Sequence, residues 1–122
     1  MPVILTIAAI FGFLAVALGA FGAHALKSAL SDYGQSIWEK AVLYQMFHTA
    51  ALFLLMALKD LARPERLELT GWLFVAGIVL FSGSLYLLAL TQKSWLGAVT
   101  PLGGIAFLAG WGVLAWELFR QI

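Results

Sequence analysis

The chain has no cysteine, and only 11% of its 122 residues are charged. The first absence excludes disulfides, cysteine redox chemistry and thiolate metal sites. The second excludes an ordinary soluble domain, which carries about 25% charged and about 45–50% apolar residues. Here 63% of the residues are hydrophobic and the mean hydropathy is +0.99. A net charge of +1 offers no electrostatic footprint for nucleic acid. Nucleotide, hydrolase, zincin and kinase motifs are all missing, so no cofactor and no reaction is implied. Without a catalytic constellation, the expectation is that the protein is not an enzyme.

What is present is a series of long apolar runs. Residues 2–23 hold no charge. At 1.5 Å per residue they reach roughly 33 Å, enough for a hydrocarbon core of about 30 Å. Ala23-His24-Ala25 resembles a leader cleavage site, but no Lys or Arg precedes it, so a retained span is expected. Three more runs follow, giving spans at about 2–23, 38–59, 69–91 and 101–119 in a single transmembrane domain, 1–122. Short loops between them force neighbours to run antiparallel. The expected fold is therefore all-α, an integral membrane four-helix antiparallel bundle with a short interfacial helix between helices 1 and 2.

Local signals place the helix starts. Residues 24–37 are a polar break in which Leu26, Ala29, Leu30, Tyr33 and Ile37 are spaced like the buried edge of a short surface helix ended by Gly34. Ser36-Ile37-Trp38-Glu39 fits the S-x-x-E capping box and predicts the start of helix 2 near Ser36. Pro64, with Glu65 and Glu68 behind it, predicts the start of helix 3. Thr100-Pro101 reads as N-cap and first helical residue of helix 4.

Helical wheels then sort the faces. On helix 2, Trp38, Ala41, Tyr44, Gln45, His48, Leu52 and Leu55 share one side. Leu43, Met46, Phe47, Phe53 and Leu54 share the other, which suits lipid. Ala8, Gly12, Ala15, Gly19 and Ala23 on helix 1, and Gly103, Ala106, Gly110 and Val113 on helix 4, form small-residue stripes that admit a second backbone. Phe107, Leu108, Trp111, Leu114 and Leu118 read as the bulky face of helix 4. Helix 3 carries Ser84 on one face and Ser82 with Tyr86 on the other. These hydroxyls fit either neighbours on both sides or bonds to their own backbone.

His48 lies ten residues past Trp38, roughly 15 Å into the membrane. An ionisable side chain at that depth is neutral or paired, and is a functional-site candidate by default. Tyr44, Gln45 and Ser84 are its expected companions. Two readings stay open: a neutral histidine that binds helices together, and a ligand or proton site. His24, half a membrane away, is read as an interfacial polar residue at the end of helix 1. With no carboxylate near either histidine, no metal site is expected.

Several of these motifs are similar to those of a known family. Gly19-Ala20-Phe21-Gly22-Ala23-His24-Ala25-Leu26 resembles the signature after the first span of small membrane proteins of the domain of unknown function 423. That family includes transmembrane protein 256. Tyr44-Gln45-Met46-Phe47-His48, Phe81-Ser82-Gly83-Ser84-Leu85-Tyr86, Thr100-Pro101-Leu102-Gly103-Gly104 and Gly110-Trp111 resemble its other marks, in order across all four spans. The resemblance implies a bacterial inner-membrane protein and brings no activity or substrate with it.

Three functions remain in competition. The first is a structural or interaction bundle that contacts membrane lipids and takes a second copy or a complex partner through its small-residue stripes. The second is a binder or transporter of a small hydrophobic ligand, lipid or quinone, around His48. The third is a membrane enzyme. Four-helix exporters carry an acid in the first span and vitamin K-type redox enzymes carry cysteine pairs; this chain has neither. Four basic residues, Lys59, Arg63, Arg66 and Arg120, lie on the side of the termini against Lys27, Lys40 and Lys93 on the other. That balance predicts both termini in the cytoplasm.

Overall fold

Prolines and one serine set where the helices begin. The computed structural model describes residues 1–122 and holds five α-helices: α1 (Pro2–His24), α2 (Asp32–Ala57), α3 (Pro64–Gly77), α4 (Gly83–Thr91) and α5 (Thr100–Phe119). A π-helical turn, Ile78–Ser82, fuses α3 and α4 into one span, Pro64–Thr91. A 3₁₀ turn, Ser94–Ala98, leads into α5. There are no strands, and four helices are long and apolar enough to cross a membrane. The protein is an all-α membrane bundle.

The connection between α1 and α2 differs from expectation. Residues 25–30 form hydrogen-bonded turns rather than a short interfacial helix. Helix 2 starts before the Ser36 capping box, at Asp32. Its N-cap is Ser31, whose Oγ accepts from the Gly34 N–H at 2.9 Å, and Asp32 complements the positive end of the helix. Tertiary bonds decide between the two serines. Only a helix that includes residue 35 lets Gln35 Nε2 donate to the Gly22 carbonyl at 3.0 Å. Leu26 and Leu30 still pack against the core, but Tyr33 is exposed. At the other loop, Pro64 opens α3 as expected, with Arg63 as N-cap. Thr100 lies inside α5 instead of capping it, because the 3₁₀ turn already supplies the preceding helical turn.

Two kinds of seam hold the bundle. Between α1 and α2, three side chains of α2 donate to successive carbonyls of α1. Gln35 reaches Gly22, Trp38 Nε1 reaches Leu18 at 2.9 Å, and Gln45 Nε2 reaches Phe11 at 2.8 Å. The small stripe of α1 makes this approach possible: Ala8 and Ala15 are buried, and a Cβ on Gly22 would overlap the Trp38 indole. The third span and α5 exchange phenylalanines for glycines. Phe81 backs onto Gly103, Phe107 fills the space over Gly77, and Phe74 that over Gly110, so a Cβ on any of these glycines would collide. Small and bulky residues of α5 therefore share its inner face rather than lying on opposite sides.

Two apolar clusters result. One gathers Ile4, Leu52, Leu55, Leu67, Phe74 and Phe107 toward the end that holds the termini; the other gathers Ile37, Trp38, Leu85, Leu88 and Leu96 toward the opposite end. The third span packs against α1, α2 and α5, whereas α2 and α5 do not pack backbone to backbone.

Candidate functional site

The gap between α2 and α5 is bridged by aromatic rings, with His48 at its floor. Helix 2 turns the polar face read from its sequence inward: Trp38, Gln45 and His48 are each 3% exposed, while Leu43, Met46, Phe47 and Leu54 are each more than half exposed. The His48 ring stacks on Phe107, centroids 3.6 Å apart and planes within 9°, and meets Phe74 edge-on at 5.2 Å. Both of its nitrogens are engaged. Nδ1 lies 2.9 Å from the Tyr44 carbonyl, and Nε2 lies 3.0 Å from the indole Nε1 of Trp111. An indole nitrogen can only donate, so Nε2 must accept and the proton must sit on Nδ1. The partners thus fix one neutral tautomer. A second proton would face the Trp111 N–H donor to donor.

The companions expected for His48 divide. Tyr44 contributes its carbonyl to the histidine and its ring to the groove, with centroids 4.5 Å from Phe81 and 6.2 Å from Phe107. Gln45 points away from His48; besides its bond to α1, its Oε1 accepts from the Tyr86 hydroxyl at 2.6 Å. Ser84 is not beside His48. Its Oγ lies 2.6 Å from Thr100 Oγ1 and donates to the Phe81 carbonyl at 3.0 Å, tying the third span to α5. Ser82 donates to the Ala41 carbonyl of α2 at 2.7 Å from within the π turn. Such turns insert a residue and re-aim the side chains after it, here sending Ser82 to α2 and Phe81 onto α5. Thr91 bonds its own helix, at the Leu87 carbonyl. His24 closes the last turn of α1, exposed and far from the groove.

Above the histidine lies an open groove of about 580 Å³ between α2 and α5. Tyr44, Phe47, Phe81, Phe107 and Trp111 line it, with Leu43 and Leu108 as exposed rims. Gly104 also lines it and has empty space where a Cβ would project. Its exposed rims, Leu43 and Leu108, lie near the middle of α2 and α5 rather than at their ends.

Sequence reasoning did not single out Trp111, Phe107 or Glu117 as site residues. Glu117 is 1% exposed and accepts from the Arg63 backbone N–H at 3.0 Å and from its guanidinium at 2.9 Å. It is also 3.5 Å from Arg120. Its hydrogen bond holds the Arg63 guanidinium above its ordinary pKa. The signal was available: Gly103, Phe107, Gly110, Leu114 and Glu117 follow one helical face.

Comparison with known proteins places the chain among membrane proteins. The sequence profile described as "Protein of unknown function (DUF423)" matches residues 18–104. A UPF0382 membrane protein of Staphylococcus haemolyticus is 44% identical over 122 residues, covering 100% of this chain and 99% of its own length. The UPF0382 membrane protein YwdK of Bacillus subtilis is 49% identical over 112 residues, 91% of each chain. No solved structure matches.

Proposed function

We propose that this chain, which belongs to the DUF423 family of proteins of unknown function, is a structural and interaction bundle of the bacterial inner membrane with no reaction of its own. One observation carries the reading: four polar side chains of the spans, His48, Gln45, Ser82 and Ser84, are spent on joining helices. His48 ties α2 to α5, Gln45 ties α1 to α2 and the third span, Ser82 ties the third span to α2, and Ser84 ties it to α5. No carboxylate or second histidine lines the groove to make an acid–base pair with His48. The small-residue stripes of α1 and α5 are filled from within the chain, so a second copy or another membrane protein would meet the outer surface. There Gly104 and Gly112 of α5 leave open space beside exposed Leu108.

Photo-crosslinking in living cells tests this. A benzophenone amino acid placed at Leu108, at Phe13 on α1 and at Val79 on the third span samples three lipid-facing sides, all exposed. The expected result is a discrete protein adduct from one position and lipid adducts from the others. Lipid adducts alone at all three would rule the interaction role out.

A second reading is favoured by the groove itself: a binder of a small hydrophobic ligand reached from the bilayer. Its volume of about 580 Å³ lies within the roughly 300–1,000 Å³ of small-molecule sites. An aromatic lining with a few polar atoms is the composition such sites share.

A further inference from the structure

We infer that the groove between α2 and α5 seats a ring-headed lipid of the quinone class, with a ring carbonyl accepting a hydrogen bond from the Tyr44 hydroxyl. This rests on the second reading above. Tyr44 lies six residues past Trp38, roughly 9 Å into the span by the same count. Its ring lines the groove, and its hydroxyl has no partner in the chain, whereas the Tyr86 hydroxyl is met by Gln45. A hydroxyl left facing hydrocarbon forfeits a hydrogen bond. Acyl chains offer no acceptor. An occupant that carries one satisfies Tyr44 and is selected by it.

The walls narrow the class further. Tyr44, Phe81 and Phe107 form a set of rings with centroids 4.5–6.2 Å apart. Flat rings gain from offset or edge-on contact with such walls in a way that saturated chains do not. The floor has no charge to offer, because His48 is held neutral by Tyr44 and Trp111. The fitting ligand is therefore flat, uncharged, carbonyl-bearing and able to enter laterally past Leu43 and Leu108. A quinone head on an apolar tail has all four properties. Binding alone is proposed, without electron transfer.

The test uses the full chain in phosphatidylcholine nanodiscs, titrated with decylubiquinone while tryptophan fluorescence is read. A saturable quench is expected above the linear background of partitioning, and it should be lost in Trp111→Phe. Tyr44→Phe should weaken apparent affinity about fivefold, the loss of one ordinary hydrogen bond. Gly104→Leu should abolish the saturable part by filling the open space, with an unchanged thermal midpoint showing that the bundle still folds. A purely linear quench, or identical titrations in wild type, Tyr44→Phe and Gly104→Leu, would overturn the proposal. Brominated phosphatidylcholine adds a second arm. Bromolipid quenching that is lost in Trp111→Phe, beside a purely linear quinone quench, overturns the proposal while leaving a chain-binding groove in place. No quenching by either probe removes both the proposal and the ligand reading beneath it. A Leu108 crosslink to a second copy that persists in saturating quinone also overturns it.

Discussion

A histidine in the middle of a membrane has a narrow set of stable states, and His48 occupies one of them. Its two nitrogens have one donor partner and one acceptor partner, at 3.0 and 2.9 Å, so the neutral ring is fully satisfied. Interhelical bonds of this kind contribute about 0.6 kcal/mol on average and up to about 1.7 kcal/mol. Trp111→Phe removes the donor and strands Nε2 in an apolar setting. A loss of about 1–2 kcal/mol is expected, read as a lower thermal midpoint in detergent. His48→Phe with Trp111→Phe leaves no stranded atom, so the pair should be no worse than the sum of the single changes less about 1 kcal/mol. Strict additivity would show that the 3.0 Å contact carries no stabilisation. The inward face of His48 was legible from α2 alone, because one helix suffices to compute it. Its partner was not. Trp111 lies 63 residues later, and a tryptophan on a bulky helix face looks the same whether it meets lipid or imidazole. Ser84 failed as a partner for a related reason: depth counted along each helix ignores the extra residue of the π turn and the offset between helices.

At the scale of the helices, local signals compete, and tertiary bonds choose among them. Ser31 and Ser36 are both N-cap residue types, and only Ser36 has a Glu three residues on. The chain uses Ser31 because the extra turn brings Gln35 onto the carbonyl of Gly22. Ser31→Ala should therefore cost about 1 kcal/mol, the usual loss of a serine cap. Ser36→Ala should leave the thermal midpoint within error. The reverse ranking in thermal melts would place the helix start back at the capping box. Pro64 had no such rival, and the structure begins α3 there. The glycine stripes were legible as seams because a run of small residues at helical spacing has few other uses. Their partners were not, since the exchange of Phe81, Phe107 and Phe74 against Gly103, Gly77 and Gly110 depends on two helices being aligned at once. The same two-helix dependence hid the groove, which exists because α2 and α5 flank the third span without packing backbone to backbone.

For the whole molecule, the unequal ends matter most. The end with both termini carries Lys59, Arg63, Arg66 and Arg120, and there Glu117 clamps Arg63 and Arg120 across the α2–α3 loop and the end of α5. The clamp, with Glu65 4.0 Å from the Arg63 guanidinium, offsets part of the positive charge that would hold this end in the cytoplasm. The other end has Lys27, Lys40 and Lys93, scattered over the α1–α2 connection, the third turn of α2 and the loop after α4. Loop bases near the ends of spans set orientation, and acids count for little in that rule. The termini-bearing end should accordingly face the cytoplasm. The absence of cysteine makes the measurement direct. Asp60→Cys reports on the α2–α3 loop and Ser94→Cys on the loop before α5; both positions are exposed and lie outside the α-helices. In intact cells a membrane-impermeant maleimide should label Ser94→Cys and spare Asp60→Cys, and permeabilised cells should label both. The opposite pattern would invert the bundle. Equal labelling of both sites in intact cells would mean dual insertion, the outcome a bias of one basic residue leaves closest. In that case Lys93→Ala, which widens the bias to two, should restore a single orientation.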